Sequence, residues 1–367
     1  MNFITDFKTK LFSEINSVPE SLNRKYYPSI DGLRGLAILS VILYHTSVNH
    51  IWNVWTDGTI GVHVFFIISG FLITTLLLKE RVLKGKVSFK NFYIRRALRI
   101  FPVAYLYIFI LIILGYLFHA PLTVTNILTS VLYLKNFPTA STWQTGHFWT
   151  LSVEEQFYLI VPFILIANTN RYIKIVIVLF ILVQIVDYVG FNNIGIFYTN
   201  RFVHTLTFIF LALLDKGSLY IFVGSLFSLL IFKKIIVIER FEKQYYLSAF
   251  LFLFAALIHF VHLIPNIPYL SPTIFAILMG WVITINLYEN NFLTKILGHP
   301  ILIKLGILSY SLYIWQQLFT TNQFWRGQFK YSDSIPLNLA VLFIVAFCSY
   351  YFFEVKFLKL KKQFKVI

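Results

Sequence analysis

The sequence predicts an all-α integral membrane protein of about ten transmembrane helices with both termini in the cytoplasm, and three observations predict it. Hydrophobic residues make up 58% of the chain and charged residues 13%, about half of the usual ~25% for soluble domains. Forty Phe and twenty-two Tyr are too many to bury in one water-soluble core. Apolar runs of roughly 17–22 residues recur from Gly32 to Phe353, the length a helix needs to cross ~30 Å of hydrocarbon. Helices satisfy their own backbone there, and the alternating strands that a closed barrel would need are absent.

The elements follow in order. Residues 1–28 mix Asp6, Lys8, Lys10, Glu14, Glu20, Arg24 and Lys25 with apolar positions. No apolar signal core or cleavage site follows, so the segment reads as a cytoplasmic amphipathic lead-in. A single transmembrane domain occupies 29–356, and 357–367 form a basic cytoplasmic tail. Apolar segments cover 32–50, 58–78, 100–118, 151–168, 172–190, 201–214, 217–232, 246–263, 270–288, 304–323 and 337–354. The formal charge of +16 is gathered at 79–99, 171–174, 233–243 and 356–365, the pattern of cytoplasmic loops under the positive-inside rule. A nucleic-acid partner would need those charges on one surface with aromatics between them, and none is expected. Counting inward from both ends leaves three segments between two inside loops at 172–232, so one of them does not span. The stretch 201–214 is shortest and opens with Arg201 and His204, which makes it the re-entrant or interfacial candidate. The longest outer loop is 119–150 and the longest inner one 79–99. No internal repeat or low-complexity tract interrupts the pattern. Cys348 stands alone, which excludes an intramolecular disulfide, and its apolar setting points to a packing role.

Polar residues inside spans are costly and therefore functional candidates. Asp31-Gly32-Leu33-Arg34-Gly35-Leu36-Ala37 leads to Tyr44-His45. Asp31 is placed to cap a helix, its carboxylate accepting from first-turn amides. Arg34 and His45 are eleven residues apart, close to a whole number of turns, so they share a face with His45 roughly 16 Å further along. Taken alone, Arg34 would snorkel and His45 would bond a backbone carbonyl. Arg95, Arg96 and Arg99 form a compact cationic patch at i, i+1 and i+4, and arginine forks suit phosphate oxygens, although taken alone ordinary cytoplasmic-loop charge is the better explanation. The run from His147 through Trp149, Ser152, Glu154, Glu155, Gln156 and Tyr158 enters a span from the outer loop. A helix start explains one Ser and one Glu, but not His, Trp, Ser, Glu and Gln gathered together.

These groups together resemble the acyltransferase 3 family of membrane O-acyltransferases, from Tyr26 to the basic tail. Residues 31–37 with His45 are similar to the family's first motif, and 61–73 to its second. Arg95, Arg96 and Arg99 before Pro102 are similar to the third, and His147 to Tyr158 to the fourth. Ser309-Tyr310-Ser311-Leu312-Tyr313-Ile314-Trp315 is similar to a late motif. The chain departs at His63, where members commonly carry an acid, at Val355, where Pro is frequent, and at Gln316-Gln317, where Trp is usually followed by His. No catalytic role is carried over to that last position.

The resemblance implies a bacterial inner-membrane enzyme that takes an acyl group, acetyl most commonly, from cytoplasmic acetyl-CoA without a metal. The acceptor would be an envelope glycan: lipopolysaccharide, capsule, exopolysaccharide, peptidoglycan or a lipid-linked sugar. Some members carry an appended periplasmic hydrolase-like domain, and this chain is expected to be the short form without one. Arg34, Arg95, Arg96 and Arg99 would hold the donor's phosphates. His45 would act as general base or be acylated itself, with Glu155 or Glu154 orienting it. His147 would stand with them, and Asp31, Trp149, Ser152, Gln156 and Tyr158 would serve the substrate. The outer-loop residues Trp52, Trp55, Trp143 and Trp149 suit sugar stacking. The rival reading is a glycan transporter or flippase, but the paired broken helices of inverted repeats are absent.

Overall fold

The structure is a computed structural model that describes residues 3–46, 58–120, 122–137, 142–191, 194–214, 217–261, 270–288 and 290–364. These residues are helical with no β-strand among them. An amphipathic helix α1 (Phe3–Phe12) precedes α2 (Pro28–Thr46), α3 (Gly58–Lys84) and α4 (Phe89–Leu117). Then come α5 (Val124–Val131), the single turn α6 (Trp143–Gly146), α7 (Phe148–Ala167) and α8 (Thr169–Phe191). A second single turn α9 (Ile196–Thr199) leads to α10 (Arg201–Leu214), α11 (Ser218–Phe232), α12 (Leu247–Val261) and α13 (Leu270–Ile285). The chain closes with α14 (Phe292–Leu297), α15 (Pro300–Phe319), α16 (Ile335–Cys348), a π-helical turn at Ser349–Glu354 and α17 (Val355–Lys361).

Among the described residues, five helical stretches are long and apolar enough to cross a membrane: Gly58–Lys84, Phe89–Leu117, Trp143–Ala167, Thr169–Val189 and Ile335–Phe364. A sixth is counted if α10 and α11, bent by more than 40° to each other, form one broken span. Helices α12 and α13 are apolar but shorter. At 19 and 20 residues, α2 and α15 have the length, ~30 Å at 1.5 Å per residue. Their buried serines, glutamines and charged residues keep them out of the apolar set.

The helices correct four expectations. The helix bearing Asp31 begins at Pro28, because proline's fixed φ suits a first helical position. Asp31 therefore lies inside the first turn, where its charge complements the helix dipole, and is not the cap. The basic stretch 79–99 is mostly helix: α3 runs to Lys84, and α4 begins after Ser88, whose side chain accepts from the Asn91 amide. Charged residues continue a helix past the hydrocarbon as readily as they form a loop. The outer stretch 119–150 likewise contains α5, α6 and the first turn of α7. Finally, Cys348 is exposed on α16 and is not packed inside.

The chain forms two compact units. One comprises 1–33, 63–87 and 153–303; the other comprises 34–62, 88–152 and 304–367. In the first, α3 and α11 approach backbone to backbone. A Cβ at Gly70 would lie 1.9 Å from the Ile221 carbonyl, and one at Gly224 1.9 Å from that of Ile67. Hydroxyls line the same seam: Thr74 with Ser225 at 2.7 Å, Thr75 with Ser228 at 2.8 Å, and Tyr172 with Ser225 at 2.7 Å. Small residues and hydroxyl pairs are how helices associate where lipid removes the hydrophobic drive. In the second unit, Gly61 brings the start of α3 against the Ala37 carbonyl and Ser40 of α2.

Candidate active site

The second unit holds most of the chemistry, in two groups joined by α2 and α15. Along α15, Ser309, Tyr313 and Gln316 stand four and seven positions apart, which aligns them on one helical stripe.

The first group is cationic. Arg34 of α2 donates from Nη2 to Ser309 Oγ at 2.8 Å. Arg99 of α4 lies 3.9 Å from Glu354 Oε1, and the Ser311 hydroxyl donates to Glu354 Oε2 at 2.6 Å. Glu354 is only 1% exposed. The π-helical turn that ends at this residue inserts an extra residue into the helical repeat, a distortion that recurs at functional sites. Arg95 donates to the Phe364 carbonyl at 2.9 Å, and the Arg96 guanidinium lies 5.9 Å from the Phe92 ring. Lys361 of α17 lies within electrostatic range of Arg34, Arg95, Arg96 and Arg99. Five half-buried cations thus cluster here, and two of them, Arg99 and Arg34, act on the buried Glu354 carboxylate. Such a cluster suits an anion with several charges.

The second group sits eleven residues along α2 at His45. Its ring meets Trp143 edge-on at 5.3 Å and Tyr44 at 5.2 Å, with the side chain of Gln316 in hydrogen-bonding reach. Trp143 is fixed by its Nε1, which donates to the Gln317 carbonyl at 3.0 Å. His147, 4% exposed, lies within electrostatic range of His45. Its ring is surrounded by Phe148 at 4.9 Å, Tyr107 at 5.2 Å and Tyr313 at 5.7 Å. The Tyr107 hydroxyl donates to the Gln144 carbonyl at 2.6 Å, and the Tyr313 hydroxyl pairs with Thr150 at 2.8 Å. The neighbouring rings are therefore locked by their own bonds. Gln316 Nε2 donates to Gln317 Oε1 at 2.7 Å.

Buried polar atoms without a full hydrogen bond collect here: His45 Nδ1, both ring nitrogens of His147, Trp315 Nε1 and Gln316 Oε1. Gln316 approaches His45, and the Ile314 backbone approaches His147. Buried polar atoms are normally paired, so orphans gathered in one place call for a group that satisfies them. Two imidazoles able to move protons beside unsatisfied donors and acceptors suit a hydroxylic substrate.

The remaining expected residues fall as follows. Trp149 is half-buried. Ser152 is fully buried, donating to the Phe148 carbonyl at 2.9 Å and accepting from the Lys135 amide at 3.0 Å. That hydroxyl anchors the turn at Lys135, whose ammonium reaches Asn126 Oδ1 at 2.8 Å. Asp31, Glu154, Glu155, Gln156 and Tyr158 belong to the first unit. All are half-buried except Tyr158, which is buried and bonded to the Ser69 hydroxyl. The fourth motif is thus shared between the units. In the first, His63 stacks on Tyr220 at 3.8 Å. Trp52 and Trp55 lie outside the described residues. Among the described residues, no group of three or more His, Cys, Asp or Glu is placed to hold a metal ion.

Sequence reasoning passed over Glu354, Lys361 and Gln316. Glu354 carried a readable signal, an acid closing an apolar run. Gln316 carried one too, its place after Trp315 where the resembling family usually has His, but an uncharged amide there gave no reason to carry the role over.

Comparison with known proteins follows the same lines. A family model described as an acyltransferase domain matches residues 27–354. A Staphylococcus aureus (strain COL) protein named "putative O-acetyltransferase" is 28% identical over 393 residues, covering 96% of this chain and 59% of its own length. The peptidoglycan O-acetyltransferase OatA of Listeria monocytogenes serovar 1/2a is 38% identical over 176 residues, covering 42% of this chain and 28% of its own. The chain therefore spans less than two thirds of the length of these curated relatives. No solved structure matches it.

Proposed function

We propose that this chain, which belongs to the acyltransferase 3 family, is a membrane O-acyltransferase moving an acetyl group from cytoplasmic acetyl-CoA to a hydroxyl of an extracytoplasmic glycan. One observation carries the reading: a single helix, α2, brings Arg34 into a cluster of five cations that includes the partner of the buried Glu354, and His45 into a pocket of unsatisfied polar atoms. The spacing of the two, roughly 16 Å along α2, suits a donor with phosphates at one end and a thioester at the other.

The cations would hold the phosphates of acetyl-CoA through charge-assisted bonds. Glu354 would keep Arg99 pointed inward while leaving the cluster net positive. At the other end, His45 would take the proton of the sugar hydroxyl as its oxygen attacks the thioester carbonyl. The C–S bond then breaks, the acetyl ester forms, and the proton passes from the imidazolium to the departing thiolate. Gln316 would orient the His45 ring. A variant in which the His45 nitrogen takes the acetyl group first, then yields it to the sugar, uses the same atoms. Trp143 and Trp149 offer apolar faces to a sugar ring. His147 would stand with His45 on the substrate side.

The names of the relatives make cell-wall glycan the acceptor to test first. The protein would sit in the cytoplasmic membrane with ten crossings: α2, α3, α4, α7, α8, the bent pair α10 and α11, α12, α13, α15 and α16. Taking the bent pair as one span resolves the parity problem and leaves both termini inside.

The test is the mass of envelope glycans from a deletion strain complemented with wild type or His45→Ala. A loss of about 42 mass units per sugar, the increment of an acetyl ester, restored by wild type alone, is the expected result. Full activity of His45→Ala would remove both mechanisms. Unchanged glycan mass with altered glycan amount or location would favour transport.

A further inference from the structure

The first unit contains a cavity of about 260 Å³ that none of the chemistry above uses. Ser13, Arg81, Asn168, Thr169, Asn170 and Lys233 line it. Its two cations hydrogen-bond only to neutral groups. Lys233, 4% exposed, donates to Asn170 Oδ1 at 2.9 Å and to the Ser13 carbonyl. Arg81 donates from Nη1 to the Ile166 carbonyl at 3.3 Å and to Thr169 Oγ1 at 3.2 Å. The rest of its fork has no acceptor among the described residues. Glu14, the acid on the wall, is exposed and forms no ion pair with either cation.

An ammonium held largely from water with only an exposed carboxylate in range is expensive. Burial and the Arg81 charge push the Lys233 ammonium below the usual lysine range, and the Glu14 carboxylate offsets only part of that; a bound anion would relieve the rest. The cavity also receives the start of α8, a helix of 23 residues. There Asn168 Oδ1 accepts from the Arg171 amide at 2.8 Å, and the positive end of the helix dipole adds to the field. The space equals about nine waters at ~30 Å³ each, which fits a phosphate group but not a drug-sized ligand. Residues 13–16 form one wall, held by Lys233 at the Ser13 carbonyl and by Asn170 Nδ2 at the Phe12 carbonyl, 2.9 Å away.

We propose that this cavity binds a phosphate group through Lys233, Arg81 and the first turn of α8, and that the bound anion pins the N-terminal segment to the unit. The phosphate belongs either to an anionic lipid headgroup or to a free phosphorylated solute; the shared chemistry is a monoanionic or dianionic phosphate beside two cations.

Hydrogen exchange of the full-length protein in phosphatidylcholine nanodiscs tests this. Peptides covering 12–16 and 168–171 are followed during titration with inorganic phosphate, and in parallel nanodiscs containing phosphatidylglycerol. Phosphate at ten times its Kd should slow local opening about tenfold. That slowing should persist in Lys233→Arg and vanish in Lys233→Met and Arg81→Gln. Arg81 is exposed, so its variant remains a folded control if Lys233→Met does not accumulate. Slowing with inorganic phosphate identifies a free-phosphate site; slowing only with phosphatidylglycerol identifies a headgroup site. No slowing in either arm, or slowing that survives in Arg81→Gln, overturns the proposal. Binding at the arginine cluster would instead protect peptides around 95–99 and would not depend on Arg81.

Discussion

His147 is buried among three aromatic rings, with the Ile314 backbone near its ring but no full hydrogen bond at either nitrogen. Leaving a buried polar group unsatisfied costs about 1–3 kcal/mol, so packing alone would favour phenylalanine there. His147→Phe should therefore raise the thermal midpoint of the purified protein while lowering acylation by about a hundredfold or more. A variant both stabilised and fully active would remove His147 from the chemistry. Glu354 is the converse case, a charge retained because its neighbours need it. Glu354→Gln should destabilise the protein by about 2 kcal/mol, the scale of a charge-assisted hydrogen bond, seen as a lower unfolding midpoint. Restored stability on adding acetyl-CoA would mark the cluster as the donor site; indifference to it would argue for a purely structural network. At this scale Arg34 and His45 were legible, because eleven residues of helix put them on one face. The pairing of Arg99 with Glu354 was not, since 255 positions separate them and only folding brings α4 to the end of α16.

Helices α3 and α11 meet through glycines and hydroxyls, and the two contributions differ in size. A methyl at Gly224 would collide with the Ile67 carbonyl, backbone that cannot turn aside. Gly224→Ala should cost about 1–3 kcal/mol and reduce the yield of folded protein. Ser225→Ala removes the hydroxyl shared by Thr74 and Tyr172, yet interhelical hydrogen bonds in membranes average about 0.6 kcal/mol. Unfolding of both variants in the same detergent should rank them in that order, and a larger loss in Ser225→Ala would make the hydroxyl ladder the main glue. Helix existence was readable from apolar length. Helix ends were not, because basic residues at 79–84 and 89–99 continue α3 and α4 beyond the apolar core.

For the whole molecule, the proposed ten crossings make a testable map. Cys348 is the chain's single cysteine, so Cys348→Ser provides a clean background. Cysteines placed at Gly85, Lys234 and Lys362 should react with a membrane-impermeant maleimide only after the cytoplasmic face is opened. One at Val124 should react in intact cells. Reaction of Lys234→Cys in intact cells would split the bent pair α10 and α11 into two crossings and invert everything before or after it. The charge pattern alone required one of three segments to be exceptional; the bend between α10 and α11 makes a joint span physically reasonable.

The sequence by itself determined the solvent: 58% hydrophobic residues in span-length runs can only be helices in lipid. It also determined which motifs to watch, since polar residues persist in such helices only where something needs them. What the tertiary structure decided is which of those residues stand together. It divided the fourth motif between two units and gave Ser152 a structural partner. It added Glu354, Lys361 and Gln316 to the site from the far end of the chain. The physical reason is range: periodicity reports neighbours one to three turns away, whereas a buried charge finds its partner through packing across hundreds of residues.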